Sequence, residues 1–295
     1  MAYIFIMFVA RSRQRIDALK IYRNRLLNWS RTNAPFLSGD GFADLCDVSV
    51  FAPRYRGISP SVEAISRAQS IFCPSDKLEL LISEYGECIE ASVLVLGNSD
   101  RDFDAAVALP HSVKKVFLQN SHISNDYIET LPIGIENLRW GKNGFKSLFK
   151  IKYVQNKKKD AILVGPFSPT HPERRELADW ESINDASLYV CSEYLKPDKL
   201  AILTSGYRFI ACPRGNGTDT HRFWESLYRG SIPVVKKSRW SNSVKAMGLP
   251  VLELDEWSFA EFLQRKKTFA HEDFSPELNP ILWLDYWTDK FRIQS

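Results

Sequence analysis

At 295 residues, with 44% hydrophobic and 25% charged side chains, the chain can bury a sizeable core and accommodate two modest domains. A formal net charge of +4 is too small to argue for a nucleic-acid partner and suits an anionic nucleotide or a membrane face equally well. Five cysteines without a CxxC pair argue for a reducing, cytoplasmic setting and against a structural zinc site.

Met1 to Ala10 is apolar but too short to span a bilayer, and Arg11, Arg13 and Arg15 follow it, the reverse of a signal peptide. It reads as a buried first strand, with a weak peripheral membrane contact as the other reading. Ile16 to Trp29 carries Ile16, Leu19, Leu26 and Leu27 among arginines, the pattern of an amphipathic surface helix. Ser38-Gly39-Asp40-Gly41 then presents an aspartate on a turn ahead of a helix, where an N-cap is the plain interpretation. Ala68 to Cys73, Ala91 to Leu96 and Lys115 to Gln119 are apolar runs of strand length. Ser75 is expected to cap a helix from Asp76 to Tyr85 that ends at Gly86. The polar stretches at Asp40, Asn98 to Asp104 and Asn120 to His122 all follow apolar runs. They are therefore expected to share the carboxyl edge of one sheet, where ligands gather in open α/β folds.

Trp140 to Asn156 is polar and basic without clear periodicity and runs into Lys157-Lys158-Lys159. It reads as an interdomain linker with a solvated lysine run, so the expected domains are residues 1–150 and 151–295. Asp160 to Gly165 opens a second α/β unit. Its turn offers Ser168, Thr170 and Arg174 before a helix starting near Pro172. Ser187 to Cys191, Phe209 to Cys212, Ile232 to Val235 and Val251 to Leu254 read as strands. Phe259 to Phe269 reads as a helix, and Ile281 to Phe291 as an amphipathic aromatic tail. This alternation predicts an α/β fold with mainly parallel pairing.

The stretch from Phe209 to Val235 is the chemical centre of the chain. A strand leads into the glycine turn Pro213-Arg214-Gly215-Asn216-Gly217. Thr218, Asp219 and Thr220 follow as N-cap types, then a helix from His221 to Arg229, the C′ residue Gly230, and a second strand. Such a unit sets unpaired helix N–H groups at the rim of a parallel sheet, where a phosphate binds. Arg214 and Arg222 can add bidentate contacts, and Glu225, one turn further on, can accept the hydroxyls of a ribose. The plain alternative is a sheet–helix junction with Arg214 and Glu225 in a structural ion pair, and spacing alone leaves both open.

Cys-Pro-Arg-Gly-Asn-Gly-Thr-Asp-Thr-His-Arg-Phe-Trp-Glu-Ser-Leu-Tyr-Arg-Gly-Ser-Ile-Pro-Val-Val, residues 212–235, resembles the C-terminal signature of exostosin-like glycosyltransferases. It is more distantly similar to the Glu-(small)-x-x-x-Gly-x-Pro-Val-Val segment of other GT-B enzymes. The resemblance implies a GT-B-like fold, two Rossmann-like domains facing a cleft, with the C-terminal helix crossing back to the N-terminal domain. It further implies that residues 1–150 bind a glycan acceptor and residues 151–295 the nucleotide-sugar donor. Glu225 would hold ribose. Arg214, Thr218 and Arg222 would line the diphosphate, Gly217, Asp219 and Thr220 would belong to the same donor site, and the loop with Ser168, Thr170 and Arg174 would face the cleft.

Gly217 stands eight residues before Glu225, where the retaining GT-B pattern has a second glutamate. The implied reaction is therefore inverting transfer from a UDP-sugar, such as UDP-xylose, UDP-glucuronate or a UDP-hexose, to a glycan hydroxyl, with no metal or resident cofactor expected. Inversion needs a base on the acceptor hydroxyl. Asp40, Asp100 and His122 are the candidates. Asp40 and Asp100 come first because Ser38-Gly39-Asp40 and Asn98-Ser99-Asp100 resemble steps in the same family. Two other readings stand beside this one: a metal-dependent GT-A enzyme using Asp100-Arg101-Asp102 or Asp102-Phe103-Asp104, and a non-catalytic nucleotide- or glycan-binding module.

Overall fold

The computed structural model describes residues 19–20, 23–27, 31–52, 59–103, 108–123, 125–149, 158–269 and 274–292. The expected first strand over Met1 to Ala10 and the aspartate Asp104 lie outside the described residues. Of the expected helix over 16–29, residues 19–20 and 23–27 are described and are helical.

In the first half β1 (Val48–Ser49), β2 (Ser70–Pro74), β3 (Val93–Gly97), β4 (Lys115–Leu118) and β5 (Ile128–Thr130) form a five-stranded sheet in sequence order, parallel throughout. β2 and β3 are buried along their whole length, as unbroken apolar runs become when both faces of a parallel sheet are covered. Helices α1 (Gly39–Leu45), α2 (Val62–Arg67) and α3 (Leu78–Tyr85) belong to this half.

The second half holds β6 (Lys159–Val164), β7 (Leu188–Val190), β8 (Tyr207–Ala211), β9 (Ile232–Lys236) and β10 (Leu252–Leu254). These are parallel strands in the order β10-β9-β8-β6-β7. Helices α4 (Glu173–Glu176), α5 (Pro197–Ser205), α6 (His221–Tyr228), α7 (Arg239–Ala246) and α8 (Phe259–Thr268) accompany them, and α9 (Leu284–Lys290) follows. The order reverses between β6 and β8. In a doubly wound, Rossmann-like sheet this switch point opens a crevice at the carboxyl ends of the two strands.

The fold is thus α/β with two parallel five-stranded sheets, the last strand of the first ending at Thr130 and the first strand of the second beginning at Lys159. The halves share one apolar cluster. Phe72, Val95 and Phe117 of the first sheet belong to it with Ile210 of β8 and Phe223, Trp224 and Tyr228 of α6. α9 lies against the first half: Trp287 meets Phe42 and Phe117 edge-on at 5.5 and 6.0 Å, and the Lys290 ammonium pairs with Glu129 at 3.0 Å. Among the described residues no helix is long and apolar enough to cross a membrane.

Four local expectations need correction. Ser75 does not cap a helix: it opens a 3-10 turn, Ser75–Lys77, and its buried hydroxyl has no hydrogen-bond partner among the described residues. Ser38 rather than Asp40 is the N-cap of α1, accepting from the Gly41 N–H at 3.2 Å. The described part of the linker is packed rather than loose, since Phe149 contacts Phe36 at 5.3 Å and Tyr228 at 5.9 Å between ring centroids. Nor is the lysine run wholly solvated. The Lys158 ammonium donates to the carbonyls of Ser205 and Arg229 and to the Ser231 hydroxyl, and burial, its largest cause, pulls its pKa down to about 8.

Candidate functional site

The site lies at the switch point. β6 leads into Gly165-Pro166, with Gly165 at φ +79° and the Gly165–Pro166 bond cis. β8 leads into Cys212-Pro213 and the glycine turn. A cavity of about 410 Å³ opens where these two strand ends meet the start of α6. Most of the residues expected at a donor site line it: Ser168, Thr170, Arg174, Gly217, Asp219, Thr220, Arg222 and Glu225. Asp100 reaches it from the first half, and His221 lines it although the sequence reading gave that residue no role. A second cavity of about 600 Å³ shares Asn143, Pro166, Phe167, Ser168, Leu200 and Arg222 with the first and extends past Phe145, Leu148 and Tyr194.

Two guanidiniums face the first cavity. Arg174 donates through Nε to the Arg214 carbonyl at 3.0 Å and through Nη1 to the Ser168 carbonyl at 2.9 Å, which leaves Nη2 without a hydrogen-bond partner among the described residues. Arg222 donates to the Gly165 and Pro166 carbonyls at 3.2 and 3.3 Å. Both lie over the Phe167 ring, at 5.8 and 5.7 Å from its centroid. Burial lowers the pKa of each below the usual arginine value, and for Arg174 the neighbouring Arg222 charge adds to the effect. Backbone carbonyls orient both guanidiniums, and their two positive charges are concentrated at this rim of the cavity.

The glycines of the turn are set by close approach. A Cβ on Gly215 would stand 2.7 Å from Arg174 Nη2, and one on Gly217 would stand 2.7 Å from Asn120 Nδ2. The Phe223 N–H is taken by the Thr220 carbonyl at 3.0 Å, while the His221 and Arg222 N–H groups at the start of α6, with no preceding helical turn to bond, belong to the same rim.

Glu225 is 7% exposed. Its Oε2 pairs with Arg229 Nη1 at 3.3 Å and lies 3.9 Å from Arg222 Nε. The structural ion pair between Arg214 and Glu225, raised from the sequence as the plain alternative, is therefore not formed. Arg214 turns away from the cavity, and its Nη2 meets Asp102 Oδ2 of the first half at 2.5 Å. Thr218 turns the same way, donating to Asp102 Oδ1 through both N–H and hydroxyl. Neither side chain lines the cavity. In a single sequence nothing marks Asp102 as their partner, because the contact crosses more than 110 residues.

The same turn is fastened to the first half at further points. Asn216 donates to Asp100 at 3.1 Å, the Asp219 N–H to Asn120 Oδ1 at 2.8 Å, and the Ile133 N–H to Asp219 Oδ2 at 2.8 Å. Thr220 is the N-cap residue of α6 by position, but its side chain makes no cap bond. Asp219 instead accepts from Trp224 Nε1 at 2.8 Å. Burial pushes the Asp219 carboxyl up to about 7, against the pull of those hydrogen bonds.

The three candidate bases separate. Asp40 is 1% exposed, and its Oδ2 accepts from the Arg139 Nε at 2.8 Å while Asn98 donates to its Oδ1 at 3.2 Å. This network shows that the polar stretches do share one sheet edge, with Asn98 bonded to Gln119 and Asn120 to the Ser99 carbonyl. It also keeps Asp40 out of the cavity. His122 shares a hydrogen bond at 3.1 Å with the Thr218 hydroxyl and sits 3.7 Å from Asp102, again outside the lining. Asp100 is exposed and lines the cavity.

All five cysteines are free thiols, and burial raises the Cys212 pKa to about 12, so it is no nucleophile at neutral pH. Among the described residues no group of three or more His, Cys, Asp or Glu side chains is placed to hold a metal ion. No protein-family model matches the chain, and a search of curated proteins finds no match.

Proposed function

We propose that the protein is a glycosyltransferase that moves a sugar from a nucleoside diphosphate donor to a glycan hydroxyl, with its two sheets arranged in the GT-B manner. The observation that carries this reading is the pair of guanidiniums, Arg174 and Arg222, held by backbone carbonyls at the switch point beside the start of α6. A diphosphate that bonds Arg174 Nη2 and the first-turn N–H groups of α6 gains stabilisation as its leaving charge grows, which is how such a site accelerates transfer. Glu225 holds the ribose. The adjoining cavity, with Phe145, Leu148 and Tyr194 in its walls, takes the base. The sugar then points toward Asp100 and the first half, where the acceptor glycan binds. The packing of α9 on the first half supports the crossing-back helix of the proposed arrangement.

The test is to incubate the protein with UDP-xylose, UDP-glucuronate and UDP-glucose, with p-nitrophenyl glycosides as acceptors, and to measure free UDP and new glycoside. Turnover that survives a chelator is expected. Absence of both UDP affinity and UDP release would refute the proposal.

A further inference from the structure

Resting on the glycosyltransferase reading above, we infer that His221 is the general base that takes the proton of the acceptor hydroxyl. The argument begins with the ring's tautomer. Nδ1 lies 2.8 Å from the Gly134 carbonyl, and a carbonyl oxygen only accepts, so Nδ1 carries the hydrogen. In the neutral ring the lone pair is then on Nε2. None of the described residues bonds Nε2, and His221 lines the cavity.

Position supports the role. His221 is the first residue of α6 and stands one turn before Glu225 on the same helix face, with Cβ atoms roughly 5–6 Å apart. With Glu225 on the ribose and the end of α6 on the diphosphate, the imidazole lies further along the donor, toward the sugar. Gly134, its anchor, belongs to the first half. The ring is therefore fixed at the seam between the donor-binding half and the half assigned to the acceptor. The other titratable groups lining this cavity are Asp100, Arg174, Asp219, Arg222 and Glu225. Of these, Arg174 and Arg222 are cations, Asp219 is buried among its own donors, and Glu225 is paired with Arg229. Asp100 is exposed and accepts from Asn216. Asp40 and His122 both lie outside the cavity.

The step balances. The acceptor oxygen attacks the anomeric carbon, and the bond from that carbon to the diphosphate oxygen breaks, its electron pair leaving with the nucleoside diphosphate. The acceptor proton passes to Nε2. The resulting imidazolium keeps its Nδ1–H bond to Gly134 and later loses the proton to water.

The experiment compares the parent with His221→Asn, whose amide can still donate to the Gly134 carbonyl, and with His221→Gln. UDP affinity is measured by calorimetry, and UDP release from UDP-sugars is followed from pH 5 to 9 with and without glycoside acceptors. The expected result is UDP affinity within about threefold of the parent, turnover lower by roughly a hundredfold or more, and loss of the acidic limb of the pH profile. Turnover by His221→Asn near the parent rate, with the parent active, overturns the base assignment alone. A large loss of UDP affinity with turnover per bound donor unchanged makes His221 a donor contact and also overturns it. A parent that neither binds UDP nor turns over any UDP-sugar overturns both this assignment and the reading beneath it.

Discussion

Gly215→Ala separates the anion site from the fold. Gly215 is not among the residues with positive φ, so alanine meets no backbone strain there. Its Cβ would stand 2.7 Å from Arg174 Nη2, and ordinary contact begins near 3.4 Å, so the guanidinium tip must move by about 0.7 Å. That tip is the end of a flexible side chain, and the cost to the fold is accordingly small. Nη2 is also the donor left over after Nε and Nη1 bond the Arg214 and Ser168 carbonyls. Displacing it should cost one charge-assisted hydrogen bond to the diphosphate, about 1.5–3 kcal/mol, or roughly ten- to a hundredfold in Kd. Calorimetric titration with UDP reads the affinity, and the thermal midpoint reports the fold. UDP affinity within twofold of the parent in both Gly215→Ala and Arg174→Ala would refute the role given to this guanidinium.

Three further outcomes are expected. Glu225→Gln keeps the shape of the side chain but removes the charge that faces a ribose, so UDP binding should weaken by about 1–3 kcal/mol; unchanged UDP affinity would remove the ribose assignment. Trp287→Ala, in a residue 1% exposed against Phe42 and Phe117, should lower stability by about 3–5 kcal/mol, read as a shift in denaturant midpoint; a shift well below that would mean α9 contributes little to joining the halves. Asp219, raised from 3.8 to about 7, binds a proton more tightly in the folded chain than in the unfolded one. Its contribution is therefore full below about pH 4 and is lost as pH rises through 7, at no more than ~1.4 kcal/mol per pH unit. Asp219→Asn should flatten that slope in denaturant melts between pH 4 and 8, and an unchanged slope would assign it to another group.

The parallel sheets were legible because β2, β3, β6, β8 and β9 are apolar runs that period and length pick out without help. The unit from β8 through α6 to β9 was legible for the same reason, and because Gly230, at φ +62°, ends the helix as glycine at C′ does. Less visible were β1, two residues long, and the short helices α2, α5 and α7, which tertiary packing rather than propensity holds in place. Within the site, Arg174 and Arg222 could be found because each sits on a turn or helix start that follows a strand. The direction taken by Arg214 could not, since it depends on Asp102 in the other half. His221 had a signal in its place, directly after the N-cap residues and one turn before Glu225. What selects it is the Gly134 carbonyl, which the sequence does not bring near.

The most direct test of the central claim is a crystal structure of the protein with UDP. The account predicts the diphosphate in the cavity between the ends of β6 and β8, with its oxygens at about 2.7–3.2 Å from Arg174 Nη2 and from first-turn N–H groups of α6, and the ribose hydroxyls on Glu225. UDP bound elsewhere on the molecule, or in that cavity with its phosphates turned away from both arginines, would contradict it.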